Sequence, residues 1–305
     1  MQIYNNRNGK LEYIKEIWFK LEKDMQALVE KNLWEIFGLE FIQSEFQLNN
    51  LRIDTLAFDR ETNSFVIIEF KIKWQNLDIA QGLAYLSLLL NNKAEFVQKL
   101  SILRNKVIKN DEIDWTQSRV IFISENFTEH QKESINFKDL PISLFEMKQL
   151  NNWEIIFNEI KARNKTESIK TITKNEWKFL EVAKEIETYD EEYHINWKSD
   201  EIIELYEKLK QAIFSIDSNI DILPKKLYIA YKINKRNLVD IEIRKNDIKL
   251  WINAKKWDIV DSFWISKDVS DTWHWWNWDF EIKIYFNTNL IQIMELIQQA
   301  YKIYN

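Results

Sequence analysis

Apolar positions along this chain of 305 residues change period repeatedly, and each change marks an element. Leu21, Met25, Leu28, Val29, Leu33 and Ile36 recur at helical spacing, which predicts a helix over 21–37 with Gly38 as its C-cap. Residues 40–48 alternate as a strand, Asn49 and Asn50 read as a hairpin turn, and 51–58 return as a second strand. A turn at 60–64 leads to a third strand over 65–72. Its opening Phe-Val-Ile-Ile is apolar enough to be covered on both faces. Helices follow over 78–91, with Asp78 near the start, and over 94–107. A polar connection at 111–117, a short buried strand at 119–124, a helix at 128–135 and a strand at 142–147 complete this half. Residues 1–18 read as an edge strand or arm. Strand–helix alternation around an internal hairpin predicts an α/β domain, a sheet flanked by helices.

Residues 161–173 are polar and poor in apolar positions, a linker candidate, and 176–186 resume a helical pattern. The expected division is a first domain over 1–160, a linker and connecting helix over 161–195, and a smaller α+β domain over 196–305. In the last, Ser199 or Asp200 caps a helix running to 214. Strands are expected at 226–233, 238–244, 248–253 and 280–286, an aromatic loop at 255–279, and a closing helix at 290–304.

Composition narrows the function classes. No apolar run approaches the roughly 18 residues of a membrane span. The first residues lack the apolar stretch of a signal peptide, so the cytoplasm is the expected compartment. With no cysteine there is no thiol nucleophile and no cysteine zinc site, and 3 histidines leave little room for histidine metal clusters. A net charge of −6 counts against broad non-specific binding to nucleic acid, which runs on Lys and Arg, but leaves room for a local basic groove.

The chain has 14 Trp and only 3 Gly, where average usage of about 7% Gly would give roughly twenty. Several Trp stand where turn chemistry favours Gly: Trp153 after Asn152, Trp257 before Asp258, and Trp276 and Trp278 around Asn277. One reading is that these Trp, with Trp74, Trp264 and Trp273, are UGA codons of a lineage that reads UGA as glycine. The other is a Trp-rich protein. Codons decide between them.

The chemistry concentrates between Leu51 and Tyr85. Asp54 lies in the strand after the hairpin. Glu69 and Lys71, two apart in the next strand, leave it on one face, with Phe70 pointing the other way. If the strands are neighbours, Asp54 stands beside them. Two carboxylates with a backbone carbonyl and waters make a hard-oxygen site suited to Mg²⁺ or Mn²⁺. Such a metal polarises a phosphate and activates water. Lys71 would orient or help deprotonate that water, or neutralise phosphate charge. Gln81 and Tyr85, four apart, share a helix face. Glu30 and Glu35 on the first helix could add a carboxylate. The competing reading of Glu69 and Lys71 is a solvated cross-strand pair, against which the apolar run before them argues.

Asp54, then Glu69-Phe70-Lys71, then Gln81 and Tyr85 in a Gln-x-x-x-Tyr pattern resemble the PD-(D/E)XK nuclease superfamily, in its RecB-like or tRNA-splicing-endonuclease-like branch. The resemblance covers about residues 20–147 and follows the family order of helix, hairpin, Glu-x-Lys strand and helix. It implies a restriction-endonuclease-like core, a mixed sheet flanked by helices. By it Asp54 and Glu69 match the metal ligands, Lys71 the catalytic lysine, Gln81 and Tyr85 the auxiliary motif, and Glu30 the first-helix acid of some members. The family's Pro before Asp is Ile53 here. The whole chain also resembles bacterial proteins of uncharacterised role that join this core to a small domain of unknown function, some labelled predicted transport proteins. No span or transporter-like pattern supports transport.

In the second half, Lys225, Lys226, Lys232, Lys235, Arg236, Arg244, Lys245, Lys249, Lys255 and Lys256 form a basic series with Tyr228 and Tyr231 interleaved. Such a sheet can track phosphates and stack bases, or can simply be solvated strand faces. His274, Asp268 and Asp279 read as structural loop residues. The function expected is Mg²⁺- or Mn²⁺-dependent phosphodiester hydrolysis of DNA, less so of RNA, as an endonuclease or exonuclease. The second domain would select substrate or partner, and a homodimer stays open. The rival is a catalytically silent module that binds nucleic acid or protein on a nuclease fold.

Overall fold

The computed structural model describes residues 2–49, 51–72, 79–137, 139–161, 168, 182, 184–234, 236–270 and 279–304. The chain forms two compact units, Met1–Thr188 and Tyr189–Asn305. Most of the expected linker, Asp78, Lys235, Trp74 and residues 271–278 with His274 lie outside the described residues.

The first unit opens with a hairpin of β1 (Ile3–Arg7) and β2 (Lys10–Ile14) rather than a single edge strand. Asn8 and Gly9 turn it with φ of 52° and 82°, the paired left-handed conformation that matches strand twist and that Asn-Gly adopts readily. β3 (Glu16–Ile17) follows. The helix expected over 21–37 is broken in two, α1 (Glu22–Lys31) and α2 (Leu33–Phe37). Asn32 stands at the break, its side-chain amide donating to the Leu28 carbonyl at 2.8 Å, the local competition that makes Asn a poor helix-interior residue. Gly38 ends α2 at φ 67°, as a left-handed cap.

β4 (Glu40–Leu48), β5 (Leu51–Asp59) and β6 (Ser64–Lys71) form an antiparallel meander. α3 (Ile79–Asn91), α4 (Lys93–Arg104), β7 (Arg119–Ser124), α5 (Glu129–Glu133), β8 (Ile142–Leu150) and β9 (Ile155–Ile160) follow. β9 has no counterpart in the periodicity reading. The sheet order is β3-β8-β7-β6-β5-β4, with β9 also on β8; β6, β7 and β8 are parallel and the other pairs antiparallel. β6 is covered on both faces, as its Phe-Val-Ile-Ile run predicts. Phe65 and Ile67 face the core built with α3 and α4, whereas Val66, Ile68 and Phe70 face Met25 and Val29 of α1. A Cβ on Gly82 would meet Ile142 Cδ1 at 2.7 Å and Phe122 Cε2 at 3.1 Å. The missing side chain lets α3 lie directly on β7 and β8, and α3 carries Gln81 and Tyr85.

The second unit has α6 (Glu191–Ile195), α7 (Asp200–Phe214) and α8 (Leu290–Tyr304). Ser199 caps α7 by accepting from the Ile202 N–H. β10 (Asp221–Pro224), β11 (Ile229–Ile233), β12 (Arg236–Ile243), β13 (Ile248–Ile252), β14 (Lys267–Asp268) and β15 (Phe280–Ile284) make an antiparallel sheet in the order β10-β11-β12-β13-β15-β14. Alternate residues such as Ile241, Leu250 and Ile282 pack against Leu205, Leu209, Leu296 and Ile297 of α7 and α8. Among the described residues no helix is long and apolar enough to cross a membrane.

Trp153, Trp197 and Trp264 have φ of 72°, 63° and 55°, the left-handed region that a bulky L-residue rarely enters. Two of these are sites where glycine is expected from the sequence, and Trp197 joins them. Trp257 is not in that region.

Candidate active site

The site begins with a fault in the pleat of β4 and β5. In a regular strand, residues two apart share a face. Ser44 and Thr55, paired across the two strands, both reach α1: Ser44 Oγ meets Gln26, and the Thr55 hydroxyl donates to Glu30 at 2.6 Å. Yet Phe46 and Ile53, the pair two residues on, face the core with α3 and α4. The pleat inverts between these rungs, where Glu45 has φ 52° and Asp54 stands beside it. Asp54 is thereby turned toward the plane of the sheet instead of lying on either face.

The β5–β6 pairing stops at Thr55–Ile68, and beyond it carboxylates replace carbonyls as acceptors. The Asp54 N–H donates to Glu69 Oε1 at 3.0 Å, and the Phe70 N–H donates to Asp54 Oδ2 at 3.0 Å. Each carboxylate takes a backbone N–H of the other's strand, Glu69 that of Asp54 and Asp54 that of Phe70, the residue after Glu69. Glu69 is 1% exposed. Burial, then the neighbouring Asp54 charge, push its carboxyl up to about 7. Burial also raises Asp54, helped by Glu45 and Glu22 and opposed by the Phe70 N–H and Lys71. Two acids crowded at low dielectric resist ionising together.

Lys71 Nζ lies 3.7 Å from Glu69 Oε2, with a fifth of its side chain exposed. The lysine therefore sits at the mouth, in charge contact with Glu69 but beyond a good hydrogen bond. From α3, Gln81 Nε2 donates to the Tyr85 hydroxyl at 3.0 Å, and that hydroxyl donates to the Arg52 carbonyl at 3.1 Å. The same hydroxyl lies against Glu69, and burial followed by the Glu69 charge raises the Tyr85 pKa. Asp54, Glu69, Lys71, Gln81 and Tyr85 are thus brought together.

Glu30 is placed differently. Its Oε1 accepts from Thr55 and from Gln26 Nε2, the latter at 3.0 Å, on the α1 face. It joins the site through Gln26, whose amide also donates to the Asp54 carbonyl at 2.7 Å. Glu35 on α2 is exposed, and among the described residues no contact links it to the site. Periodicity does not single out Gln26, although its position four before Glu30 puts both on one face of α1. Two more acids go unmarked by the pattern. Glu22 accepts from the Ile72 N–H at 3.2 Å, and buried Glu125 accepts from the Phe19 N–H at 2.6 Å. They tie the start of α1 to the ends of β6 and β7. Among the described residues no group of three or more His, Cys, Asp or Glu is gathered to hold a metal.

In the second unit, Lys249, Lys255 and Lys256 pair with Glu281, Asp279 and Asp268, and Arg244 with Asp247. Tyr231 is fully buried and its hydroxyl donates to Tyr206; Tyr228 is buried too. Neither tyrosine offers a ring for a base to stack on. Much of the basic series is balanced by neighbouring acids.

Fold and site define a two-unit α/β protein: a mixed sheet flanked by helices that carries a buried and a half-buried carboxylate, Glu69 and Asp54, at a strand end, followed by an antiparallel sheet unit. The chain belongs to the same family as an uncharacterized protein of Haemophilus influenzae, 42% identical over 302 residues, a match spanning 99% of this chain and 100% of that one. A domain of unknown function, DUF5655, matches residues 191–303. Among solved structures, a repair endonuclease from Pyrococcus abyssi is 20% identical, with 40% of this chain and 45% of that one covered and a TM-score of 0.24. An EndoMS–dsDNA complex is 17% identical, covering 45% and 54% at a TM-score of 0.24. Pyrococcus furiosus SfsA in complex with Ca²⁺ is 16% identical, covering 51% and 68% at 0.25. The chain spans about half the length of the first two. Likenesses of this size do not bear on activity.

Proposed function

We propose that the first unit is a metal-dependent nuclease of the PD-(D/E)XK type, hydrolysing phosphodiester bonds in DNA, with the second unit selecting substrate or partner. The observation that carries this reading is the interlock of Asp54 and Glu69 with Lys71 at 3.7 Å. Setting a buried acid beside a half-buried one costs stability. A divalent cation would offset that cost, and nothing in the sheet itself requires the arrangement.

The donor set fits Mg²⁺ or Mn²⁺. Both groups are hard oxygens, and Mg²⁺ commonly takes one or two carboxylates and keeps several waters. Asp54 and Glu69 would hold the ion. When bound, it supplies Lewis acidity and neutralises charge on the phosphate. Lys71, at the mouth beside Glu69, is positioned to orient the attacking water and draw its proton away. Gln81 and Tyr85 brace the strand end through the Arg52 carbonyl and bear on Glu69. Gln26 and Glu30 hold the other side of Asp54.

Single-stranded, duplex and branched DNA, with RNA alongside, incubated with the full chain in Mg²⁺ or Mn²⁺ test the reading. Cleavage should appear and should fall at least 100-fold in Lys71→Ala, with the far-UV spectrum unchanged. If wild type and Lys71→Ala both bind but neither cuts, the unit is a silent binding module. If neither binds nor cuts, the substrate class is wrong.

A further inference from the structure

Acids outnumber cations around Asp54. Glu69, Glu45 and Glu22 stand near it, against Lys71 and Arg52. A phosphate chain entering this field needs a cation that is free to meet it. The described arginines of the first unit are mostly committed elsewhere. Arg60 and Arg104 both bind Glu40, and Arg119 binds Asp59 at 2.8 Å. Arg7 lies on the N-terminal hairpin beside Glu12. Arg52 alone among them shares a strand with Asp54, two residues before it.

Arg52 is held at its two ends in different ways. Its carbonyl accepts from Tyr85, so its backbone belongs to the braced end of β5. Its side chain is 59% exposed, and Nε sits 2.9 Å from Glu45 Oε2. Among the described residues its guanidinium has no second acidic partner. Glu45 therefore sits at the Nε side of the guanidinium, and more than half of the arginine side chain stays open to solvent, where its planar donors can meet phosphate oxygens. Glu45 reaches this position from a left-handed backbone in mid-strand, a conformation that persists only where the surroundings impose it. An exposed ion pair of this kind is worth little, so exchanging it for a phosphate is cheap.

We infer that Arg52 is the phosphate-gripping residue of the site, held ready by Glu45, and that it engages a backbone phosphate next to the one aligned on Asp54 and Glu69. The inference rests on the nuclease reading above. Arg52 is a binding residue, distinct from the groups at the reacting bond.

The test uses the full chain and fluorescein-labelled single-stranded and duplex DNA, with anisotropy in EDTA and cleavage in Mg²⁺. Arg52→Ala should weaken binding about tenfold and lower the slope of log affinity against log salt by about 1. In cleavage it should raise KM while kcat stays within about twofold, the mark of lost uniform binding. Arg52→Lys should fall between, keeping the charge but not the fork, and Glu45→Gln should bind at least as tightly as wild type. Arg52→Gln stands in should the alanine variant lose its fold by circular dichroism. If wild type binds or cuts and the Arg52 variants match it in affinity and salt slope, Arg52 is not the grip and the nuclease reading stands. A fall in kcat with KM unchanged overturns the binding role as well. If wild type neither binds nor cuts, the nuclease reading fails and takes this one with it.

Discussion

Replacing Glu69 by Gln should stabilise the protein at alkaline pH while destroying the proposed site. Glu69 is almost wholly buried, and its carboxyl is raised from 4.5 to about 7 in the folded chain. The folded state thus holds the proton more tightly than the unfolded state. Stability is fully present below the unfolded value, falls as pH climbs from about 4.5 to about 7, and is flat above that. A shift from 4.5 to about 7 corresponds to about 3 kcal/mol at about 1.4 kcal/mol per pH unit. The glutamine amide keeps an oxygen for the Asp54 N–H and cannot ionise. Urea titrations of wild type and Glu69→Gln should therefore differ by about 1 kcal/mol at pH 5 and by about 3 kcal/mol at pH 8, the variant being the more stable. Adding Mg²⁺ at pH 8 should raise the stability of wild type by mass action and leave the variant nearly unmoved. A variant no more stable at pH 8 than at pH 5, relative to wild type, would refute the reasoning, because Glu69 would then carry no cost of burial for a cation to offset.

Two further outcomes are expected. Gln26→Ala should cost about 2 kcal/mol, because it strips the Asp54 carbonyl and Glu30 of a partly buried donor; a loss under about 0.5 kcal/mol in urea would remove Gln26 from the support of Asp54. Trp153→Gly, Trp197→Gly and Trp264→Gly should each be neutral or stabilising by about 0.5–1 kcal/mol. The side chains are 82%, 96% and 91% exposed, and relief of roughly 1–2 kcal/mol of left-handed strain exceeds the entropy that Gly adds to the unfolded chain. Trp115→Gly is the control, since this ring is buried and stacked on Phe65 at 5.4 Å; it should lose about 3–5 kcal/mol. UGG codons at 153, 197 and 264 would count against a glycine origin, whatever the stabilities.

Much of the frame was legible because burial imposes periods. The alternation over 40–48, the Phe-Val-Ile-Ile run and the helical recurrence over 290–304 each mark an element, and β4, β6 and α8 lie where those patterns put them. Breaks made by one polar residue were not legible. Asn32 divides the first helix through a side-chain bond that spacing does not reveal. β9 was missed because as an edge strand it is only half-buried and lacks a continuous apolar signature. The basic series of the second unit reads as a groove along the chain, yet in space acids stand opposite many of its members and Tyr231 turns inward.

For the candidate site the division is sharper. Sequence alone determined which strands carry Asp54, Glu69 and Lys71, that Glu69 and Lys71 share a face, and that Gln81 and Tyr85 follow on one side of a helix. Those are consequences of periods 2 and 3.6. Only the tertiary structure decided how the two acids meet. The inversion of the pleat at Glu45 turns Asp54 toward the sheet plane, where it takes the Phe70 N–H while Glu69 takes the Asp54 N–H. That inversion rests on one left-handed residue whose type gives no warning of it. The remaining partners, Gln26 and Glu45, meet Asp54 and its strand through side chains brought in from a helix and a neighbouring strand. Contacts across such separations follow from packing and pairing of whole elements, which no local period encodes.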